Sequence, residues 1–106
     1  MTHRDVDNLL PRLERWYRGQ CDGEWEHGSG IRIGTLDNPG WSLEVNLRGT
    51  ELAGRAFPVI KRGLDGPKRS AEWMTCYVEG EVFKGFGGPE MLKEMVAVFL
   101  NWAEAR

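Results

Sequence analysis

The residues whose types are best suited to chemistry lie together in one short segment, Gln20–His27. Within eight positions the segment holds a thiol, three carboxylates, an imidazole and an indole, contributed by Cys21, Asp22, Glu24, Trp25, Glu26 and His27. Side chains of these types serve as metal ligands, as nucleophiles, as general acids and bases, or as contacts in a protein interface. The spacing of the residues is the first criterion that separates these functions.

A metal site in this segment would use Cys21, Asp22 and His27, with Cys76 as a fourth ligand. Zinc ligands usually occur as pairs at short spacing, such as C-x2-C or H-x3-H, and Cys21 with His27 does not form such a pair. We therefore expect neither a metal nor another cofactor.

Catalysis by a Cys–His pair is also disfavoured. Cys21 follows a predicted helix, and the negative end of the helix dipole disfavours a thiolate at that position. If Glu24–His27 is extended, Glu24 and Glu26 share one face and Trp25 points to the other, toward a core. Such paired carboxylates suit acid–base chemistry, but a solvated acidic edge is the simpler interpretation. A small enzyme or ligand-binding domain using Cys21-Asp22-Glu24-Glu26-His27 remains the alternative function.

Hydrophobic periodicity predicts the helices that must position this segment. An apolar stripe at three- and four-residue steps predicts an N-terminal helix, formed by Leu9, Leu10, Leu13, Trp16 and Tyr17. Asn8 is its expected N-cap, and Gly19 is its expected C-terminal stop. A second helix is predicted at the end of the chain, with Pro89 at its first position and an apolar face of Leu92, Met95, Val96, Phe99, Trp102 and Ala103.

Alternating apolar residues between the helices predict strands. A hairpin is expected from Ile31–Leu36 through a type II turn at Asn38-Pro39-Gly40 to a half-buried strand that begins at Trp41. Further strands are expected at Phe57–Ile60, Trp73–Val78 and Val82–Phe86, with a tight turn at Glu79-Gly80 and an exposed loop at Lys61–Ser70. The fold class is therefore α+β, an antiparallel sheet of four to six strands flanked by N-terminal and C-terminal helices.

Length and charge exclude several classes of protein. A chain of 106 residues predicts one domain, residues 1–106. Its 14 basic and 16 acidic residues argue against nucleic-acid binding, which needs a basic excess. No apolar run is long enough for a membrane span, and the N-terminus lacks the apolar core of a signal peptide, so we expect a soluble cytoplasmic protein. The two cysteines are expected to be free thiols.

Several strings in the chain resemble the immunity protein 53 family of bacterial polymorphic-toxin and contact-dependent competition loci. They are Trp16-Tyr17, then Gln20-Cys21-Asp22-Gly23-x-Trp25-Glu26-His27, then Gly30-Ile31-x-Ile33-x-Thr35-Leu36-Asp37-Asn38-Pro39-Gly40-Trp41, and finally Phe86-Gly87-Gly88-Pro89. The resemblance covers essentially the whole chain. It implies a small cytoplasmic protein, not an enzyme, that binds and neutralises a cognate toxin by occluding its active site or an adjacent surface.

The resemblance assigns no site residues, so the partner-binding surface is a hypothesis from the sequence. The candidates are residues of the segment after the first helix, together with Asp37 beside the Asn38-Pro39-Gly40 turn, namely Asp22, Glu24, Trp25, Glu26, His27 and Asp37. Such a patch could mimic the phosphates of a substrate for a basic nuclease cleft. Two alternatives stay open: that Asp22, Trp25 and His27 stabilise the fold, and that the partner binds Gly49–Ser70, where Arg55 to Arg69 include five basic residues and one acidic residue.

Overall fold

The structure is a computed structural model that describes residues 8–28, 30–64 and 72–105. Two helices, α1 (Leu9–Gln20) and α2 (Leu92–Glu104), open and close this part of the chain. A short 3-10 helix, Trp25–His27, follows α1. The strands between the helices are β1 (Ile31–Leu36), β2 (Gly40–Asn46), β3 (Ile60–Arg62), β4 (Met74–Glu79) and β5 (Val82–Gly87). The predicted α+β class is confirmed.

The strands form one antiparallel sheet with the order β1-β2-β5-β4-β3. Hairpins join β1 to β2 and β4 to β5, and the pairing of β2 with β5 places the two hairpins side by side. The outer strands are therefore β1 and β3. Within the described ranges the sheet has five strands, which lies inside the predicted range of four to six.

One face of the sheet is covered by the helices, and the other, the polar face, carries mainly polar side chains, with Tyr77 and Phe86 among the exceptions. On β2 the side chains of Leu43 and Val45 are fully buried, whereas the alternate residues Ser42 and Glu44 are partly exposed. This is the predicted period-two pattern of a strand that packs on one side only. The core also contains residues of β4, β5 and α2, among them Met74, Cys76, Phe83, Met95, Phe99 and Leu100.

Two glycines on β5 allow α2 to approach the sheet closely. A Cβ atom on Gly85 would lie 3.0 Å from Met95 Sδ, and one on Gly87 would lie 3.0 Å from Met91 Cβ. Both distances are shorter than ordinary van der Waals contact, so larger residues here would push the helix away. Gly85 and Gly87 therefore have a packing function in the fold.

The ends of the helices differ from the predictions at two points. α1 continues through Gly19 and ends at Gln20, because the backbone becomes extended only at Cys21. α2 begins at Leu92, so Pro89 lies in the preceding turn, where its carbonyl oxygen accepts a 2.8 Å hydrogen bond from the Trp41 indole. The predicted position of Asn8 before α1 is confirmed, although its side chain makes no capping hydrogen bond. Neither described helix has the length and apolar character of a membrane span.

The turn between β1 and β2 is not the predicted type II turn. Gly40 is the first residue of β2, and it is absent from the described residues with a positive φ angle. Its small size matters for a different reason, because a Cβ atom at this position would collide with the carbonyl oxygen of Gly87. Glycine is thus required by the close approach of two strands rather than by the turn.

The short strand in the middle of the chain is displaced from its predicted position. The prediction was Phe57–Ile60, whereas β3 is Ile60–Arg62 and pairs with β4 through Ile60 and Cys76. Pro58 has no N–H group to donate, which is consistent with its position before the ladder. Lys61 and Arg62, predicted in an exposed loop, belong to β3, and residues 65–70 of that loop lie outside the described part of the chain.

The close approach at Gly40 gives a test of the fold. We expect Gly40→Ala to lower the free energy of unfolding by about 3 kcal/mol, because the added methyl group meets backbone that cannot move without disturbing the pairing of β2 with β5. Gly19→Ala is the matched control: it adds the same methyl group within α1, where no atom lies within 4 Å, and should raise stability by about 0.5–1 kcal/mol. Urea denaturation measures both. Equal effects of the two variants would contradict the packing explanation.

Candidate functional site

The segment after α1 folds into a tight turn that its own carboxylates hold in place. One oxygen of Asp22 (Oδ1) accepts hydrogen bonds from the N–H groups of Glu24 (2.9 Å) and Trp25 (3.0 Å). The carboxylate of Glu26 reaches back and accepts hydrogen bonds from the N–H groups of Asp22 (2.9 Å) and Gly23 (2.8 Å). Two side chains thereby satisfy four backbone donors at the start of the 3-10 helix. We call residues 22–28 the capped turn.

These hydrogen bonds favour the ionised form of both carboxyl groups. The N–H groups of Trp25 and Glu24 lower the pKa of Asp22. The pKa of Glu26 is lowered by its own N–H group and by those of Asp22 and Gly23. Both effects are of the kind expected when a carboxylate accepts several backbone hydrogen bonds. A general acid would instead need a raised pKa, so neither group has the property that acid catalysis near neutral pH requires.

Trp25 attaches the capped turn to the rest of the protein. Its side chain is buried, and the indole N–H group donates a 3.1 Å hydrogen bond to the carbonyl oxygen of Asn46 at the end of β2. Its ring meets the ring of Trp16 edge to face, with 5.7 Å between centroids, and the ring of Tyr17 at 5.6 Å. The prediction that Trp25 points to the core agrees with this burial. The turn is therefore fixed to both α1 and the sheet.

The predicted shared face of Glu24 and Glu26 required an extended backbone and is wrong. The chain forms a 3-10 helix instead, because the Asp22 side chain captures two successive N–H groups. Glu26 is turned back onto the backbone and is partly buried, whereas Glu24 and His27 are exposed. Asp22 is also exposed, but its carboxylate accepts backbone hydrogen bonds, so Glu24 and His27 are the exposed charged or polar side chains of the capped turn that do not hold its backbone.

Asp37 does not lie with the other predicted site residues. The capped turn precedes β1, and Asp37 follows it in the turn to β2. β1 has six residues, which at about 3.3 Å per residue separates the two ends by about 20 Å. The predicted acidic surface therefore consists of two parts at opposite ends of one strand.

A cleft of about 380 Å³ adjoins the capped turn at the end of the sheet where β1 begins and β2 ends. Four charged side chains line this cleft: Arg32 of β1, Glu44 of β2, Arg48 after β2, and Glu81 between β4 and β5. A shallower depression of about 290 Å³ continues from Gly28, Asn46 and Arg48 to Asp22, Glu24 and Trp25. The predicted acidic residues thus border a cleft that carries charges of both signs.

The charged residues of this cleft were not among the site residues predicted from the sequence. Arg32 and Glu44 are directly opposite each other in the register of β1 and β2 and lie on the polar face of the sheet. The strict alternation of β2 could have placed Glu44 on that face. Arg48 and Glu81, whose charged groups are 3.9 Å apart, are brought together only by the pairing of β2 with β5.

Glu81 is held in an unusual backbone conformation. Gly80 and Glu81 have φ angles of 59° and 65°, which define a two-residue type I′ turn between β4 and β5. Positive φ is easy for glycine and costs other residues about 1–2 kcal/mol. Glu81 is the one described residue other than glycine in this conformation, and its carbonyl oxygen accepts a 2.9 Å hydrogen bond from Leu47.

The two cysteines lie in different environments. Cys21 is exposed and Cys76 is buried in β4, and both are free thiols, as predicted. Burial raises the pKa of the Cys76 thiol to about 11, which keeps it protonated. Among the described residues, no three His, Cys, Asp or Glu side chains are grouped so that they could hold a metal ion. Cys21 and Cys76 are therefore not brought together with His27 as a ligand set.

The structure thus defines an α+β fold in which a hydrogen-bonded, charged turn lies beside an open cleft. The family model of immunity protein 53 matches residues 10–104, so the chain belongs to this family of immunity proteins. Membership of this family suggests an immunity protein that acts against a toxin and has a non-enzymatic role. No curated protein and no solved structure matches the chain significantly.

The capping carboxylates predict how stability changes with pH. Folding lowers the pKa values of Asp22 and Glu26 from their ordinary values of 3.8 and 4.5. Their contribution to stability is therefore complete above the unfolded pKa values and is lost as the pH falls through the lower folded values. We expect urea denaturation to show a smaller loss of stability between pH 6 and pH 3 for Asp22→Asn/Glu26→Gln than for the unsubstituted protein. Equal losses would contradict the capping role.

The strained turn gives a second prediction. Glu81→Gly should raise the free energy of unfolding by about 0.5–1 kcal/mol, because glycine adopts the positive φ without steric cost and the ion pair with Arg48 is exposed and weak. Gly80→Ala, at the neighbouring position with the same sign of φ, should lower it. Thermal unfolding followed by circular dichroism measures both. A Glu81→Gly protein that is less stable would show that the carboxylate stabilises the fold.

Proposed function

We propose that the chain, acting as one domain in the cytoplasm, binds and neutralises a cognate bacterial toxin by covering its active site or an adjacent surface. Membership of the immunity protein 53 family supports a toxin as the partner. The partner-binding surface proposed here includes the capped turn with Asp22, Glu24, Trp25, Glu26 and His27, and it extends to Asp37. Neither a cofactor nor a nucleic acid is part of the proposal.

The network of hydrogen bonds within the capped turn is the observation that supports this proposal. Four hydrogen bonds to two carboxylates and one from the Trp25 indole fix the backbone before any partner arrives. A surface that is already ordered loses little conformational entropy on binding, so more of the contact energy becomes affinity. A turn held in this way can present Glu24 and His27 to a partner in one defined arrangement.

The charge of the surface supports a basic region on the toxin as the target. Asp22, Glu24 and Glu26 place three carboxyl groups within five residues, and Asp37 adds a fourth at the other end of β1. Carboxylates in such an arrangement suit a cleft that binds phosphate groups, as in a nuclease. The roles differ within the surface: Glu24 and His27 contact the toxin, whereas Asp22, Glu26 and Trp25 hold the turn that presents them.

Binding to the toxin encoded by the adjacent gene tests the proposal. A catalytically inactivated form of that toxin domain should form a stable complex with the purified protein, measured by titration calorimetry, and co-expression with the active form should protect cells. Glu24→Lys should weaken the complex about tenfold or more, because it reverses an exposed charge whose side chain makes no hydrogen bond within the described ranges.

Glu14→Lys is the matched control for this charge reversal. Glu14 is exposed on the outer side of α1, beside Arg15 and Arg18, and takes no part in the capped turn or the cleft. Its substitution should leave the affinity unchanged within a factor of about two. Absence of both complex formation and protection would overturn the proposed function, and equal effects of the two variants would remove the capped turn from the interface.

A further inference from the structure

The outer edge of β1 presents free backbone hydrogen-bonding groups. The N–H group of Asn46 donates a 2.8 Å hydrogen bond to the carbonyl oxygen of Gly30, which fixes the pattern of the ladder between β1 and β2. Bonded pairs alternate along an antiparallel ladder, so Arg32 and Gly34 also bond to β2. The N–H and C=O groups of Ile31, Ile33 and Thr35 therefore point away from the sheet.

These outward groups make no hydrogen bond within the part of the chain that the structure describes. The opposite edge of the sheet is different. β3 has three residues, of which Lys61 and Arg62 carry charges, and short charged strands are a common protection against pairing with another chain. β1 has six residues and a single charge. One edge of the sheet is thus protected and the other is open.

An apolar groove follows the open edge on the side of the helices. It has a volume of about 450 Å³ and lies between α1, α2 and β1, and it is lined by Leu9, Leu10, Pro11, Ile33, Leu92, Lys93 and Val96. Leu10 is 66% exposed and Ile33 45% exposed, although both were expected on apolar faces. A strand added to β1 would direct every second side chain to this side of the sheet, into reach of the groove.

The charges beside the outer edge of β1 indicate that a segment added there should carry a negative charge. Arg32 projects from β1 to the polar face of the sheet, is exposed, and makes no ion pair with any described residue. Lys93 lies on the border of the apolar groove. A strand with apolar side chains toward the groove and an acidic side chain beside Arg32 would complement both sides of the edge.

The position of β1 explains how one partner could contact both parts of the acidic surface. The capped turn and Asp37 lie at opposite ends of this strand. A segment that pairs with β1 along its length would extend from one to the other, a distance of about 20 Å. The open edge is thus continuous with both parts of the proposed surface.

We propose that the toxin binds by adding an extended segment of about six residues to the outer edge of β1, with alternate apolar side chains in the groove and an acidic side chain beside Arg32. This inference rests on the proposed function, because its occupant is the toxin. It adds the mode of recognition: backbone hydrogen bonds supply the pairing, and the groove and Arg32 select the sequence of the segment.

Amide hydrogen exchange tests the proposal, because the N–H groups of β1 point alternately toward β2 and away from the sheet. In the isolated protein the amides of Ile31, Ile33 and Thr35 should exchange rapidly, while those of Arg32 and Gly34 are protected by β2. In the complex with the inactivated toxin domain from the adjacent gene, the amides of residues 31, 33 and 35 should become protected at least about tenfold. If the partner docked on the polar face instead, the amides of residues 31, 33 and 35 would still exchange rapidly in the complex.

Thr35→Pro tests the same edge by removing one outward N–H group. Thr35 is exposed, its N–H group is not used by β2, and the preceding residue is Gly34, which has no Cβ atom to clash with the proline ring. We expect this variant to remain folded and to bind the inactivated toxin about tenfold more weakly. Thr35→Ala, which keeps the N–H group, should bind within about threefold of the unsubstituted protein.

The outcomes separate this inference from the proposed function. Failure to form any complex overturns both. A tight complex in which the amides of residues 31, 33 and 35 still exchange rapidly overturns strand addition alone, as does unchanged affinity of a folded Thr35→Pro protein. If Thr35→Pro does not fold, the exchange experiment on the unsubstituted protein decides. Slow exchange of these amides in the isolated protein, with a dimer in sedimentation, would assign the edge to a second copy and overturn the proposal.

Discussion

Phe99 of α2 lies at the centre of a line of aromatic rings on which the rest of the structure depends. Its ring meets Phe83 of the sheet at 5.2 Å and Trp16 of α1 at 5.0 Å, and Trp16 in turn meets Trp25 of the capped turn at 5.7 Å. Each of these contacts is edge to face, the geometry that aromatic quadrupoles favour. The sheet, both helices and the turn are thereby held in one rigid arrangement, and α2 can take its place in it because Gly85 lets the helix approach.

Through these ring contacts the capped turn, which lies at the surface, is packed directly against the core. Trp25 joins the aromatic line to the end of β2 through its hydrogen bond to Asn46, so this one residue attaches the capped turn to both α1 and the sheet. The carboxylates of Asp22 and Glu26 then complete the turn with local hydrogen bonds. Residues that a sequence motif suggests for binding thus divide into those that build the surface and those that it presents. The same division explains why an exposed segment with several charged residues can be well ordered.

The sequence predicted the elements well where a strong periodicity exists, and poorly where a boundary depends on contacts with distant residues. The β1-β2 hairpin follows from alternation, because one face of each strand must enter the core, and the β4-β5 hairpin follows from two apolar runs on either side of a tight turn. The start of α2 did not follow, because the hydrogen bond from Trp41 to Pro89 keeps the proline in the turn. At Gly40 the sequence suggested a turn, whereas a carbonyl oxygen of β5 sets the size limit. The charged cleft was missed because the sequence shows no proximity of Arg48 to Glu81.

The sequence by itself determined the α+β class, the alternating strands and the concentration of carboxylates after α1, since these depend on residue types and on periods of two and 3.6 along the chain. The motifs also carried the resemblance to immunity protein 53, which the family model matches over residues 10–104. Tertiary structure decided that Asp22 and Glu26 bind backbone N–H groups, that Asp37 lies at the far end of β1, and that the outer edge of this strand has no partner strand among the described residues. The physical reason is that pairing and burial join residues far apart in the chain, and only their arrangement in space determines which polar groups remain free.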